Sequence, residues 1–222
     1  MNYQRRVENL KVLGYLLQIA PFVRALILTG SMTIGGTKES SDIDLLIVTK
    51  EKRLYLARFF VTLLTTLTGL RRTPKTKNPA GKFCLNYYLV ADNLDIRPHT
   101  AHCARFHRHI VRIWDKDGIY ERVYRENQWL RNYEPKIVDE SQTAILKNNF
   151  PLDKYLTLSL IRSPLEILLT GRFGDFVEDK FSKWQMSKIL NSKACKDNKK
   201  TIIVKKNELR LHPKKQTKKL TT

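Results

Sequence analysis

Residues 30–48 read GSMTIGGTKESSDIDLLIV: a Gly-Ser pair, a polar stretch, and then a strand pattern that carries Asp42 and Asp44 among apolar residues. Side chains alternate across a strand, so these two carboxylates share one face and repel each other. The fold gains nothing from such a pair unless a cation sits between them. The stretch therefore predicts a strand and, at its entry edge, a site.

The flanking sequence extends this pattern. RALILTG (24–30) reads as a buried strand ending at a glycine turn, and SDIDLLIVT (41–49) as a second strand, polar on one face in its first half and apolar throughout its second. Upstream, Val7, Leu10, Leu13, Leu16 and Leu17 recur at helical spacing and predict a helix from Tyr3 to Ile19, ending near Pro21. Downstream, EKRLYLARFFVTLLTTLTGL (51–70) predicts a helix stopped at Gly69, RRTPKTKNPAGK (71–82) a basic loop, and KFCLNYYLV (82–90) a third strand closed by the turn residues of ADNLDIRP (91–98). Strand, strand, helix, strand gives an α/β (α+β) class, a mixed β-sheet flanked by helices over residues 1–98.

Beyond Pro98 the pattern turns helical, in TAHCARFHRHIVRIW (100–114), in IYERVYRENQWLRNY (119–133), and over 152–190 with interruptions at Pro164 and at TGRFGD (170–175). TIIVKKNELRLHP (201–213) reads as a short hairpin turning at KKNE (205–208). Residues 99–212 are thus expected to form a mostly helical C-terminal extension ending in that hairpin, with 213–222 a basic flexible tail.

Lys and Arg number 41 against 21 Asp and Glu, a formal net charge of +20, which predicts attraction to a polyanion such as nucleic acid. Cys84, Cys103 and Cys195 are odd in number and scattered, which fits reduced thiols in a cytoplasmic protein better than a disulfide framework. No segment approaches the roughly 18 uninterrupted apolar residues of a membrane span. His99, His102, Cys103, His107 and His109 lie among Arg105, Arg108 and Arg112, a basic edge suited to phosphate more than to zinc.

In the opening stretch, Gly30 lets a phosphate approach the backbone, and Ser31 offers a hydroxyl and an N–H to an anion. Asp42 and Asp44 supply the hard oxygen donors that Mg2+, or Mn2+, takes together with water and phosphates. Gly30-Ser31, then Gly35, then Ser41-Asp42-Ile43-Asp44-Leu45 between apolar strands resembles the nucleotidyltransferase domain of the polymerase-beta-like superfamily, over roughly Leu10 to Asp95. IWDKDGIY (113–120) and NQWLRNY (127–133) extend the likeness, to an archaeal and bacterial branch of such proteins.

The resemblance implies that Gly30 and Ser31 bind the triphosphate tail of a nucleoside triphosphate and that Asp42 and Asp44 are catalytic and hold the metal. It implies an enzyme in which an acceptor hydroxyl attacks the α-phosphorus and releases pyrophosphate. A third acid belongs on the following strand, where Asn86 stands on a face shared with Cys84 and Tyr88; Asp92 or Asp95 would have to replace it. Two alternatives follow: a metal-dependent nucleotidyltransferase, or a weak or inactive module of that kind that binds nucleotide, nucleic acid or a partner protein.

Overall fold

The computed structural model describes residues 2–34, 37–133, 139–197 and 202–211. Its first helix, α1 (Tyr3–Leu17), starts where the Asn2 side chain accepts the Arg5 N–H at 2.9 Å, and it buries Val7, Leu10, Leu13 and Leu17 in one stripe. The chain continues through β1 (Val23–Thr29), a 3-10 turn (Gly30–Thr33), β2 (Ile43–Thr49), α2 (Leu54–Leu67) and β3 (Phe83–Val90). Then come α3 (Ala101–His107), β4 (Val111–Asp115) and α4 (Ile119–Glu126). The helices α5 (Glu140–Asn149), α6 (Leu156–Leu168), α7 (Gly171–Leu190) and α8 (Lys193–Asp197) precede the hairpin of β5 (Ile203–Val204) and β6 (Glu208–Arg210).

The strands make one mixed sheet in the order β4-β1-β2-β3-β6-β5. Its centre, β2, runs antiparallel to β1 and parallel to β3, and every residue of β2 is buried. That burial follows from helices on both faces. On one face Leu26, Leu28, Ile43, Leu45 and Ile47 share a core with Leu10 and Leu13 of α1 and Leu54 of α2. On the other, Ala25, Ile27, Leu46 and Val48 share a core with Ala104 of α3 and with Ile119 and Val123 of α4. α7 clamps the start of α2: the Glu178 carboxylate accepts the Tyr55 and Leu56 N–H groups, each at 2.8 Å.

Two features differ from the sequence-based expectation. The helix predicted over 100–114 ends at His107, and Val111–Asp115 is a strand instead. β1 has an edge to satisfy on the side away from β2, and the β-branched Val111 and Ile113 suit that ladder better than another helical turn. Pro164 was expected to interrupt its helix, yet α6 runs through it to Leu168. Pro164 is exposed and Leu160 is 68 % exposed, so the carbonyl freed by the missing N–H faces the solvent side of the helix. Both the β4 edge and the hairpin edge of the sheet come from residues beyond 98. The expected tail (213–222) lies outside the described residues, as does Gly35.

Candidate active site

The site forms where three strand ends meet. β1 ends at Thr29, which faces Asp44 across the antiparallel ladder. Gly30 follows with φ +78, left-handed backbone that strains any residue with a Cβ. A Cβ there would also lie 2.7 Å from Asp44 Oδ2 and 3.0 Å from the Phe106 ring of α3. The bare Cα thus fixes how close the turn comes to the acid. Thr33 Oγ1 donates to the Gly30 carbonyl at 2.8 Å and tightens the turn that presents the half-buried Ser31.

On the other side of Asp44, in parallel register, stands Cys84 of β3. One carboxylate oxygen each from Asp42 and Asp44 and the Cys84 sulfur all lie within 4.8 Å of one another, the one such three-residue group among the described residues. The thiol is driven well above its ordinary range, first by burial and then by the negative charge of Asp44 and Asp42. It remains a neutral S–H. The donor set therefore suits a hard divalent cation through its two carboxylates, with Cys84 alongside as a neutral neighbour.

Arg6 of α1 holds the loop that leads into β2. Its Nη1 donates to the Ser41 carbonyl at 2.6 Å, and its Nη2 to those of Glu39 and Lys38 at 2.6 and 2.9 Å, while the residue is only 1 % exposed. Burial lowers its pKa, and the nearby Asp42 and Glu39 offset part of that. The signal was present in the sequence: Arg6 lies on the stripe of Leu10, Leu13 and Leu17, where a charge needs a buried partner.

The family model of the nucleotidyltransferase domain matches residues 10–138, more than half of the chain. The chain belongs to this family. No curated protein matches it. A nucleotidyltransferase domain of the polymerase-beta-like superfamily implies nucleotidyl transfer from a nucleoside triphosphate and, in most members, a divalent metal.

The strand that follows, β3, carries no acid beside Asp42 and Asp44. The register runs Asp44 to Cys84 but Leu46 to Tyr87, so β3 carries one extra residue beside the acids. This bulge keeps Asn86 next to Cys84, with its Nδ2 2.6 Å from the sulfur, and sends Tyr88 into the core on the α1 and α2 side. The face expected to hold Cys84, Asn86 and Tyr88 together thus loses Tyr88, and the residue opposite Asp44 is Cys84. Asp92 and Asp95 follow the far end of β3, roughly 25 Å along the chain from Cys84 at about 3.3 Å per residue, too far to complete the site. Asp95 is engaged there with Arg97 and His99.

Arg72, from the basic loop, was not foreseen at the site. Its Nη1 donates to Asp42 Oδ2 and lies 3.8 Å from Cys84 Sγ, so a guanidinium neutralises the outer acid of the pair. In the histidine-rich segment, Cys103 and His107 share a helix face, with Sγ and Nδ1 3.5 Å apart, buried under the Tyr87 ring rather than lining the acids. Among the described residues no helix is long and apolar enough to cross a membrane.

Proposed function

We infer that the protein is a cytoplasmic, metal-dependent nucleotidyltransferase that moves a nucleoside monophosphate from a triphosphate to a hydroxyl of an acceptor. The observation that carries this reading is the convergence of Asp42 and Asp44 beside the bare Cα of Gly30, in a chain of this family. Asp42 and Asp44 would hold Mg2+ or Mn2+, which supplies charge neutralisation to the triphosphate. Ser31 and the turn N–H groups receive the triphosphate tail, and Arg72, released from Asp42, offers its planar fork to a phosphate.

The acceptor oxygen then bonds to the α-phosphorus in line as the bond to the β-phosphate oxygen breaks, and pyrophosphate leaves. Neither flanking β3 residue takes a proton at neutral pH, since Cys84 is a buried thiol and Asn86 an amide. The hydroxyl proton therefore passes to water, and turnover is slow and rises with pH. Incubation of the protein with each labelled triphosphate, Mg2+ or Mn2+ and cell extract should release pyrophosphate and label an acceptor. Asp42→Asn should abolish both with the fold intact, and unchanged release by that variant would overturn the reading.

The same β3 residues favour one second reading, a module that binds the triphosphate without turnover. It predicts metal-dependent nucleotide binding with no pyrophosphate released under any acceptor tried.

A further inference from the structure

Helix α6 reads LTLSLIRSPLEIL (Leu156–Leu168), and none of its described side chains is buried. A helix this apolar normally lies inside a protein. Its two charged residues turn toward the body: Glu166 accepts the Phe22 N–H at 2.7 Å and Arg24 Nη1 at 3.0 Å, and Arg162 Nη1 donates to the Gln18 carbonyl at 3.5 Å. Away from them Leu160, Ile161, Ile167 and Leu168 are 53–76 % exposed, with the exposed Pro164 between. At about 100° per residue these five positions form one stripe about 120° wide, and it holds no charge.

The stripe reads the same in both directions. In LIRSPLEIL (160–168), counted outward from Pro164, Ile161 matches Ile167, Leu160 matches Leu168, and Arg162 answers Glu166. A two-fold axis through Pro164 would set a second α6 antiparallel on the first, each leucine on a leucine and each isoleucine on an isoleucine. That self-complementarity is what an interface between identical copies requires.

The size and charge of the face point to the same occupant. At about 150 Å2 for a bare large apolar side chain, the four aliphatic residues, with Phe173 and Phe176 just beyond on α7, leave roughly 550 Å2 open. This exceeds what a monomer usually exposes in one patch and comes close to the roughly 600 Å2 per partner at the low end of stable interfaces. The longest stretch outside the described residues, 212–222, carries four lysines and one leucine, a poor cover for an apolar stripe. A helix that lies on lipid presents lysines or arginines to the headgroups, whereas the one cation of α6 is engaged inward.

We propose that α6 is the two-fold contact of a homodimer. Two chains of net charge +20 repel each other, and this uncharged stripe lets them touch without setting cation against cation. α6 is anchored at the start of β1, with Arg24 about 20 Å along the strand from Gly30, so pairing leaves both sets of acids open. The dimer does not depend on the nucleotidyl-transfer reading.

The test is sedimentation of the nuclease-treated full-length protein over a range of concentrations and of NaCl. It should show a monomer–dimer equilibrium that tightens as salt rises, because salt screens the repulsion and the contact itself has no charge to lose. Ile167→Glu should weaken association about 30-fold or more, since each substitution acts twice across the axis. Leu160→Glu and Leu168→Lys should each do the same alone, and the two together in one chain should restore the dimer, because position 160 of one copy faces position 168 of the other. Circular dichroism checks that each variant folds. A parent that stays monomeric at every concentration and salt would overturn the proposal, as would a dimer that salt dissolves, one that Ile167→Glu leaves intact, or a double variant that stays monomeric. A monomeric parent that floats with phosphatidylserine–phosphatidylcholine vesicles, and loses that with Ile167→Glu, would overturn it too and give the face to lipid.

Discussion

Replacing Cys84 by Asp places a third carboxylate where the structure, rather than the sequence pattern, locates the missing one. The new acid would lie within about 4.8 Å of Asp42 and Asp44, and at an effective dielectric of about 20 each pair repels by about 3.5 kcal/mol. Two such terms exceed the cost of keeping one carboxyl protonated, which from a reference pKa near 3.9 is about 4 kcal/mol at about pH 7. Proton uptake therefore sets the upper figure, and Arg72 offsets part of it through its contact with Asp42. The raised carboxyl destabilises the fold progressively as pH climbs above about 3.9, so the loss shrinks to about 1.5 kcal/mol near pH 5. For a chain of this size, about 4 kcal/mol corresponds to roughly 8–16 °C in Tm. Thermal unfolding in chelator should show that drop at neutral pH, a smaller one in mild acid, and recovery with Mn2+ or Mg2+, which binds only the folded site. A Cys84→Asp protein that melts like the parent in chelator, or whose Tm ignores the metal, would refute the placement of the three groups.

Arg6→Met removes a buried guanidinium that grips three carbonyls and should cost about 3 kcal/mol or more in urea unfolding, with weaker metal binding because the loop before Asp42 is released. Gly30→Ala should cost about 1–2 kcal/mol for its left-handed backbone, yet lower pyrophosphate release far more than that loss explains, because the new methyl displaces the Asp44 carboxylate; equal losses would count against the contact. Glu178 has a pKa raised above 4.5 by burial, which the Tyr55 and Leu56 N–H groups only partly offset, so the folded state holds this proton longer than the unfolded one. Stability should therefore fall as pH rises from about 4.5 through the folded value, and Glu178→Gln should flatten that part of the profile, read by urea unfolding at a series of pH values.

What was legible in the sequence, and what was not, divides by the range of the interactions. The strand that carries Asp44, with Asp42 just before it, the Gly30 turn, the first helix and the hairpin at 205–208 follow from spacings of two to four residues, and all appear as elements. The Cys84 position follows from pairing between strands forty residues apart, where one inserted residue changes which side chains face the acids. Asn86 looked like the third ligand because a regular strand alternates, and β3 is not regular beside the acids. β4 was missed for a related reason: Val111–Asp115 becomes a strand because β1 has an edge for it to pair with, and that edge exists only once the sheet is built. Arg6 shows the intermediate case, since its place on an apolar stripe signals a buried partner but cannot say which loop supplies it. The chemistry of the site therefore turns on register. The two acids are fixed by β2 and the residue just before it, whereas their neighbours, the neutral Cys84 thiol and the Arg72 guanidinium, are brought by β3 and by the loop paired to its start. Substitutions on β3 and in that loop should accordingly tune metal affinity and turnover, while substitutions on β2 remove them.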